Sequence, residues 1–181
     1  MAVNFQGMVS TWRTLGSAAT PQNIFTIENT SGSTQTVYVR RLVVLCDKTA
    51  VLTSVLPLYI VSRATGIPTG GTAVNKGSLD TAQSSVGNVT CRAATTADGA
   101  AATAITATAG DRMWSAYTMR LHTAVGQVLS PEFLALPNLC QSYPVKLLAN
   151  QALLVQIVAS AGSSNPATDH LVVNCMWTEE A

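Results

Sequence analysis

HLVVNCMWT, residues 170–178, is the stretch that decides how this chain folds. Leu171, Val173, Cys175 and Trp177 share one parity, while His170, Asn174 and Thr178 share the other. Side chains of an extended strand alternate between two faces, so the first set reads as facing a core and the second as facing water. YTMRLHT, residues 117–123, repeats the pattern, with Tyr117, Met119 and Leu121 set against Thr118, Arg120 and His122. Both stretches are what a half-buried antiparallel sheet requires.

Working outward, more segments read as strands bounded by turn residues. IFTIEN begins at Ile24, and TVYVRRLVVLC follows the turn cluster NTSGSTQ. SVLPLYIVSR and SVGNVTCRA come next, and PVKLLANQALLVQIVAS reads as two strands around a tight Asn150-Gln151 turn, because Asn tolerates the left-handed conformation. Lys and Glu, good surface helix formers, are rare, whereas Val and Thr are common. Many short strands with polar turns predict an all-β chain, an antiparallel β-sandwich of jelly-roll type. The Ala/Thr-rich residues 93–111 read as a loop followed by part of a strand. Residues 1–23 read as an extended N-terminal arm, leaving 24–181 as a single sandwich domain. Gly7, Gly16 and Ser17 interrupt the arm, Phe5, Met8 and Trp12 are its spaced apolar anchors, and Arg13 is its one charge.

Charged residues make up only 10% of the chain, against about 25% in an average soluble protein. Short neutral polar groups must therefore cover much of the exterior, which suits a chain destined for an assembly. The net charge is +1, and among the ten basic residues only Arg40 and Arg41 are adjacent. A nucleic-acid binder needs a basic face that neutralises several phosphates, so no nucleic-acid partner is expected. The opening MAVNFQGMVSTWRTLG lacks the apolar core of a secretory signal. LVVLCDKTAVLTSVLPLYIVS, the most hydrophobic region, is broken by Asp47, Lys48 and Pro57. Spanning a bilayer takes about 20 apolar residues in a row, so two strands with a charged turn are expected there and no membrane partner.

Four cysteines, Cys46, Cys91, Cys140 and Cys175, lie far apart with no C-x-x-C pair. They read as unpaired, buried thiols of a reducing compartment, with no metal and no cofactor. The glycine-rich VSRATGIPTGGTAVNKGSLDT, residues 61–81, fails as a phosphate loop because Lys76 precedes Gly77 where such a loop needs G-K-[ST]. It reads as a long connection that folds closely over another surface, with Arg63 and Lys76 available to acids on a partner. No G-x-S-x-G elbow is present. His122 and His170 sit on the polar faces of their strands, and Asp47, Asp98 and Asp111 lie beside turns. No nucleophile, base and orienting group assemble from these residues, so no enzymatic activity is expected.

PQNIFTIENTSGSTQTVYVRRLVV, SRATGIPTGGTAVNKGSLDT and PVKLLANQALLVQ together resemble small virion structural proteins of tailed bacteriophages. The likeness covers most of residues 21–160. It lies in the strand-turn-strand start, the Arg-x-x-x-x-Pro-x-Gly-Gly-Thr connection before Leu-Asp, and the Pro-hydrophobic hairpin near the end. The resemblance implies a single jelly-roll domain that decorates or cements the head, forms a homotrimer and binds the major capsid protein. The chain would then reside in the virion, assembled in the host cytoplasm. Phe5, Met8, Trp12, Arg13, Arg63 and Lys76 are the expected interface residues. The alternative is a host-surface or carbohydrate-binding module of a fibre or tail, with Trp114 and Tyr117 as stacking rings. Against it, Trp12, Trp114 and Trp177 are expected in the core or at a subunit interface, where large aromatics usually lie.

Overall fold

The structure, a computed structural model, describes residues 3–14, 22–30, 34–47, 58–79, 87–94, 105–117, 144–158 and 170–181. Among these residues every regular element is a strand. The first four are Val3–Thr14 (β1), Gln22–Asn29 (β2), Thr36–Asp47 (β3) and Leu58–Ala64 (β4). Four shorter ones follow: Thr69–Gly70 (β5), Thr72–Ala73 (β6), Gly77–Ser78 (β7) and Val89–Ala93 (β8). Ile105–Thr106 (β9), Ala109–Tyr117 (β10), Val145–Leu147 (β11), Gln151–Val158 (β12) and His170–Glu180 (β13) complete the series.

The pairing is nested: β1 runs against β13, β2 against β12, β3 against β11 and β4 against β10, all antiparallel. The strands divide into a five-stranded sheet, ordered β11-β3-β13-β1-β7, and a six-stranded sheet, ordered β10-β4-β12-β2-β8-β6. A separate ladder joins β5 to β9. One hydrophobic core is shared by the two sheets. Val37, Val39, Leu42, Leu147, Val173, Cys175 and Trp177 come from the five-stranded sheet, and Phe25, Ile27, Val61, Val89, Cys91, Leu153 and Val155 from the other. The result is an all-β, sandwich-like arrangement of antiparallel sheets.

The alternation in residues 170–178 is visible in β13. Val173, Cys175 and Trp177 are buried, while Asn174, Met176 and Thr178 are half-buried. Strand β2 departs from alternation, being buried continuously from Ile24 to Asn29. Phe25 and Ile27 enter the shared core, whereas Thr26 and Glu28 face the other way. On that outer side Ala64, Ala152 and Leu154 form a second small cluster with Ala107 against it. The β5–β9 ladder covers this side, tied down where the Asn23 amide donates to the carbonyls of Ile105 at 2.8 Å and Ala107 at 3.3 Å.

The reading of residues 1–23 as an arm outside the sheets needs correction. Residues 3–14 form β1, which pairs with β13 from Val3 to Thr14 and with β7 through Gly7 and Met8. The interruption expected from Gly7 does not occur: Gly7 is buried and occupies a regular place in the ladder, opposite Trp177 and Ser78. A glycine weakens a strand, but pairing on both sides overrides that preference.

The stretch around Asn150 differs in a second way. The turn is tight, with the Gln151 amide donating to the Leu148 carbonyl at 3.1 Å and Asn150 at φ 63°. Its two strands do not pair as a hairpin, however. β11 lies in one sheet and β12 in the other, so the turn carries the chain across the sandwich. Asn29 fastens this crossing by donating to the carbonyls of Gln35 at 2.9 Å and Leu147 at 3.0 Å. Residues 118–143, which include most of YTMRLHT together with His122 and Cys140, lie outside the described residues.

Candidate functional site

The buried acids hold strands together. Glu179, buried in β13, accepts from the backbone amides of Asn88 at 2.7 Å and Val89 at 3.4 Å, and from the Trp177 indole at 3.2 Å. This ties the end of one sheet to the start of β8 in the other. Lys76 grips the same segment from its carbonyl side, donating to Gly87 at 2.6 Å and also to Val89. Burial pushes the Lys76 ammonium down from its ordinary pKa, with the Glu179 carboxylate and Cys91 opposing that shift. Lys76, expected at an interface, is engaged here with the carbonyls of its own chain. A long cationic side chain on an otherwise exposed segment turns inward here because two carbonyls and a carboxylate lie beneath it.

On the outer side of the six-stranded sheet, Glu28 is 1% exposed and receives a 2.7 Å hydrogen bond from the Thr26 hydroxyl. The Arg92 Nε lies 3.1 Å from one Glu28 oxygen, and the same guanidinium donates to the Gly70 carbonyl at 3.3 Å. Burial pushes the Glu28 carboxyl up from its ordinary value, against the opposing pull of Thr26 and Arg92. On the outer side of the five-stranded sheet, Arg40 pairs with Glu180 at 2.6 Å, donates to the Thr178 hydroxyl at 3.1 Å and lies 5.2 Å from the centre of the Tyr38 ring. Cys91 and Cys175 are buried thiols outside any disulfide, and burial raises Cys91 to about 12. A thiol held that high stays protonated and unreactive at neutral pH. Among the described residues no group of three or more His, Cys, Asp or Glu side chains is placed to hold a metal ion.

The residues expected at an interface do not converge on one site. Phe5, Trp12 and Arg13 sit in β1 opposite Glu179, Val172 and Leu171, with only their backbone positions described. The side chains of Trp114 and Tyr117 on β10 and of His170 on β13 likewise lie outside the description. Arg63 is exposed on β4. Met8 is 42% exposed, although its neighbour Gly7 is buried, so Met8 points away from the core.

Register carries Met8 into a surface that the sequence reading did not assemble. Gly77, Met8, Met176 and Arg41 are successive partners across β7, β1, β13 and β3 and so share the outer face. Leu79, two residues beyond Gly77, is 43% exposed. The face thus offers two flexible thioethers and a leucine beside an exposed arginine. Methionine adapts its shape to varied partners, and contiguous exposed apolar surface marks places where proteins meet. Met176 was visible as an apolar residue on the polar parity of HLVVNCMWT. Leu79 and Arg41 had no such signal, because only the ladder brings them near Met8.

No known protein family, curated protein or solved structure matches this chain at a significant level.

Proposed function

We propose that this chain is a virion structural protein of a tailed bacteriophage. In this reading it is a jelly-roll capsid decoration or cement protein that acts as a homotrimer on the major capsid lattice. Three things support the jelly roll: the nesting of β1 with β13, β2 with β12, β3 with β11 and β4 with β10; the order β11-β3-β13-β1 in one sheet; and β2-β12-β4-β10 in the other. Because a fold hosts many functions, the assignment to a virion rests on the resemblance of the quoted stretches. A low-charge chain with buried thiols outside any disulfide fits assembly in a reducing host cytoplasm.

The observation that carries a docking role is the outer face of the five-stranded sheet, where Met8 and Leu79 remain exposed beside Arg41. Arg63, exposed on β4, belongs to the other sheet and so lies apart from this face. The buried acids Glu28, Glu179 and Glu180 are already engaged within the chain, which favours fastening over catalysis.

Co-sedimentation with undecorated capsids of the encoding phage tests this, with light scattering in parallel. The expected results are pelleting with capsids and a native mass of three 18.9 kDa chains. Met8→Glu should abolish pelleting while leaving the β-rich circular dichroism spectrum unchanged. A monomer that ignores capsids overturns the reading, and binding to glycans without binding to capsids transfers the chain to a fibre or tail.

A further inference from the structure

Residues 72–79 run along one flank of the sandwich and touch both sheets. Thr72 and Ala73 pair with Ala93 and Arg92 at the open edge of β8. Val74 continues this contact, donating its amide to the Cys91 carbonyl at 2.9 Å and packing its side chain against the shared core. Three residues later, Gly77 and Ser78 pair with Met8 and Gly7 at the open edge of β1, in the other sheet. Lys76 lies between these two pairings and ties the segment to the carbonyls of Gly87 and Val89.

The entry to this segment is built for the crossing. Gly70 and Gly71 both have positive φ, 71° and 65°. A Cβ on Gly71 would lie 2.7 Å from Ile105 Cγ1 and 3.1 Å from the Ala93 carbonyl oxygen. The two glycines let the chain leave the β5–β9 ladder and turn at once onto the edge of β8.

An open strand edge presents unpaired amides and carbonyls that template another strand, and proteins block such edges to avoid self-association. We propose that residues 72–79 are a self-masking strap that occupies the edges of β1 and β8 and so keeps them from pairing with a second copy of this chain. The occupant is set by the strap itself: it pairs antiparallel to both edges, so each edge accepts an extended segment of this chain's own sequence. The cover is thin, since Thr72, Ala73, Asn75, Gly77, Ser78 and Leu79 are all exposed. Between its two short ladders, Val74 and Lys76 fasten the middle of the strap. The proposal is independent of the virion reading, because it concerns which surfaces of the chain are closed to one another.

Lys76→Met tests it, because methionine keeps the packing of the aliphatic stem and removes the donors. Hydrogen exchange reports whether the strap has come loose, and light scattering across a concentration series reports association. In the variant, the Val74 amide should exchange at least roughly tenfold faster, the loss expected when the charged hydrogen bonds of Lys76 are removed. The mass should rise above that of the wild type with concentration. A second variant fastens the strap covalently: Met8→Cys with Gly77→Cys, placed opposite each other in the ladder, in the Lys76→Met background. Gly77 has room for a side chain, its Cβ meeting only the Met8 carbonyl oxygen at 3.8 Å. The oxidised form should return to the wild-type mass, and reduction should release the association again.

A loosened strap with an unchanged mass overturns the proposal. So does a Val74 amide that keeps its protection in Lys76→Met, because the fastening would then lie elsewhere. If Lys76→Met alone fails to fold, the oxidised triple variant must fold with the wild-type mass. Its association after reduction then decides the matter.

Discussion

The two sheets treat their outer faces in opposite ways. The six-stranded sheet covers its own: the β5–β9 ladder lies across it, Asn23 ties the ladder down, and Thr26, Glu28 and Leu154 are buried beneath. The five-stranded sheet leaves Met8, Arg41 and Leu79 exposed. Polar groups enclosed under a cover are costly unless they find partners, which explains the buried Glu28–Arg92–Thr26 cluster on that side. An open face carries no such demand and can keep apolar side chains for a partner. The contrast teaches that burial on both faces of a strand need not signal a missing partner, whereas exposed methionine on a regular ladder leaves apolar surface uncovered.

The largest effect should come from removing the strand that carries the open face. β1 lies between β13 and β7, paired to both, so deleting residues 1–14 strips the long β13 ladder on one side. The truncated chain should lose its cooperative thermal transition. A cooperative melt with an unchanged β-rich circular dichroism spectrum would return β1 to the status of a dispensable arm and remove the contrast.

A pair of glycines probes the same contrast more gently. Gly71→Ala on the covered side forces a side chain into a φ of 65° and into Ile105 Cγ1 at 2.7 Å, so it should cost about 2–4 kcal/mol. Gly77→Ala on the open side meets only ordinary contact at 3.8 Å and should change stability by less than about 0.5 kcal/mol. Urea unfolding of both variants measures the difference. Equal costs would mean that the two sides are equally packed.

Sequence reasoning reached the strands and stopped at their partners. Alternation in residues 170–178 named Val173, Cys175 and Trp177 as core, because period-two burial is a local property of one strand. The destination of residues 61–81 was not local. Gly70 and Gly71 marked a tight backbone, but the ladders they connect involve residues 93 and 105, far along the chain. The intrachain contacts of Lys76 were not local either, since its acceptors Gly87 and Val89 come close only once β6 and β8 have paired. β1 was hidden because spaced glycines and apolar residues describe an arm and a weakly patterned strand equally well. The candidate face was half legible: Met8 stood out as an apolar residue needing cover, but nothing in the sequence placed it beside Met176 and Leu79.

The smallest effect is a dependence on pH that only the covered face should show. Glu28 has its folded-state pKa raised above the ordinary value of 4.5, chiefly by burial, with the Thr26 hydroxyl and the Arg92 guanidinium opposing. An acid with a raised folded pKa binds its proton more tightly in the folded state than in the unfolded one. Its contribution to stability is therefore fully present below pH 4.5 and is lost as pH rises through the folded value. Glu28→Gln removes this titration while keeping an oxygen to accept from Thr26, and Arg92, partly exposed, turns to solvent. Melting temperatures of the two proteins should thus be compared from pH 4 to pH 7 at fixed salt. The variant should gain on the wild type as pH rises above 4.5, and the gap should level off once Glu28 is ionised in both states. The opposite trend, with the wild type gaining as pH rises, would mean that the ion pair with Arg92 outweighs the cost of burial. The covered face would then be held together by charge rather than merely enclosing it.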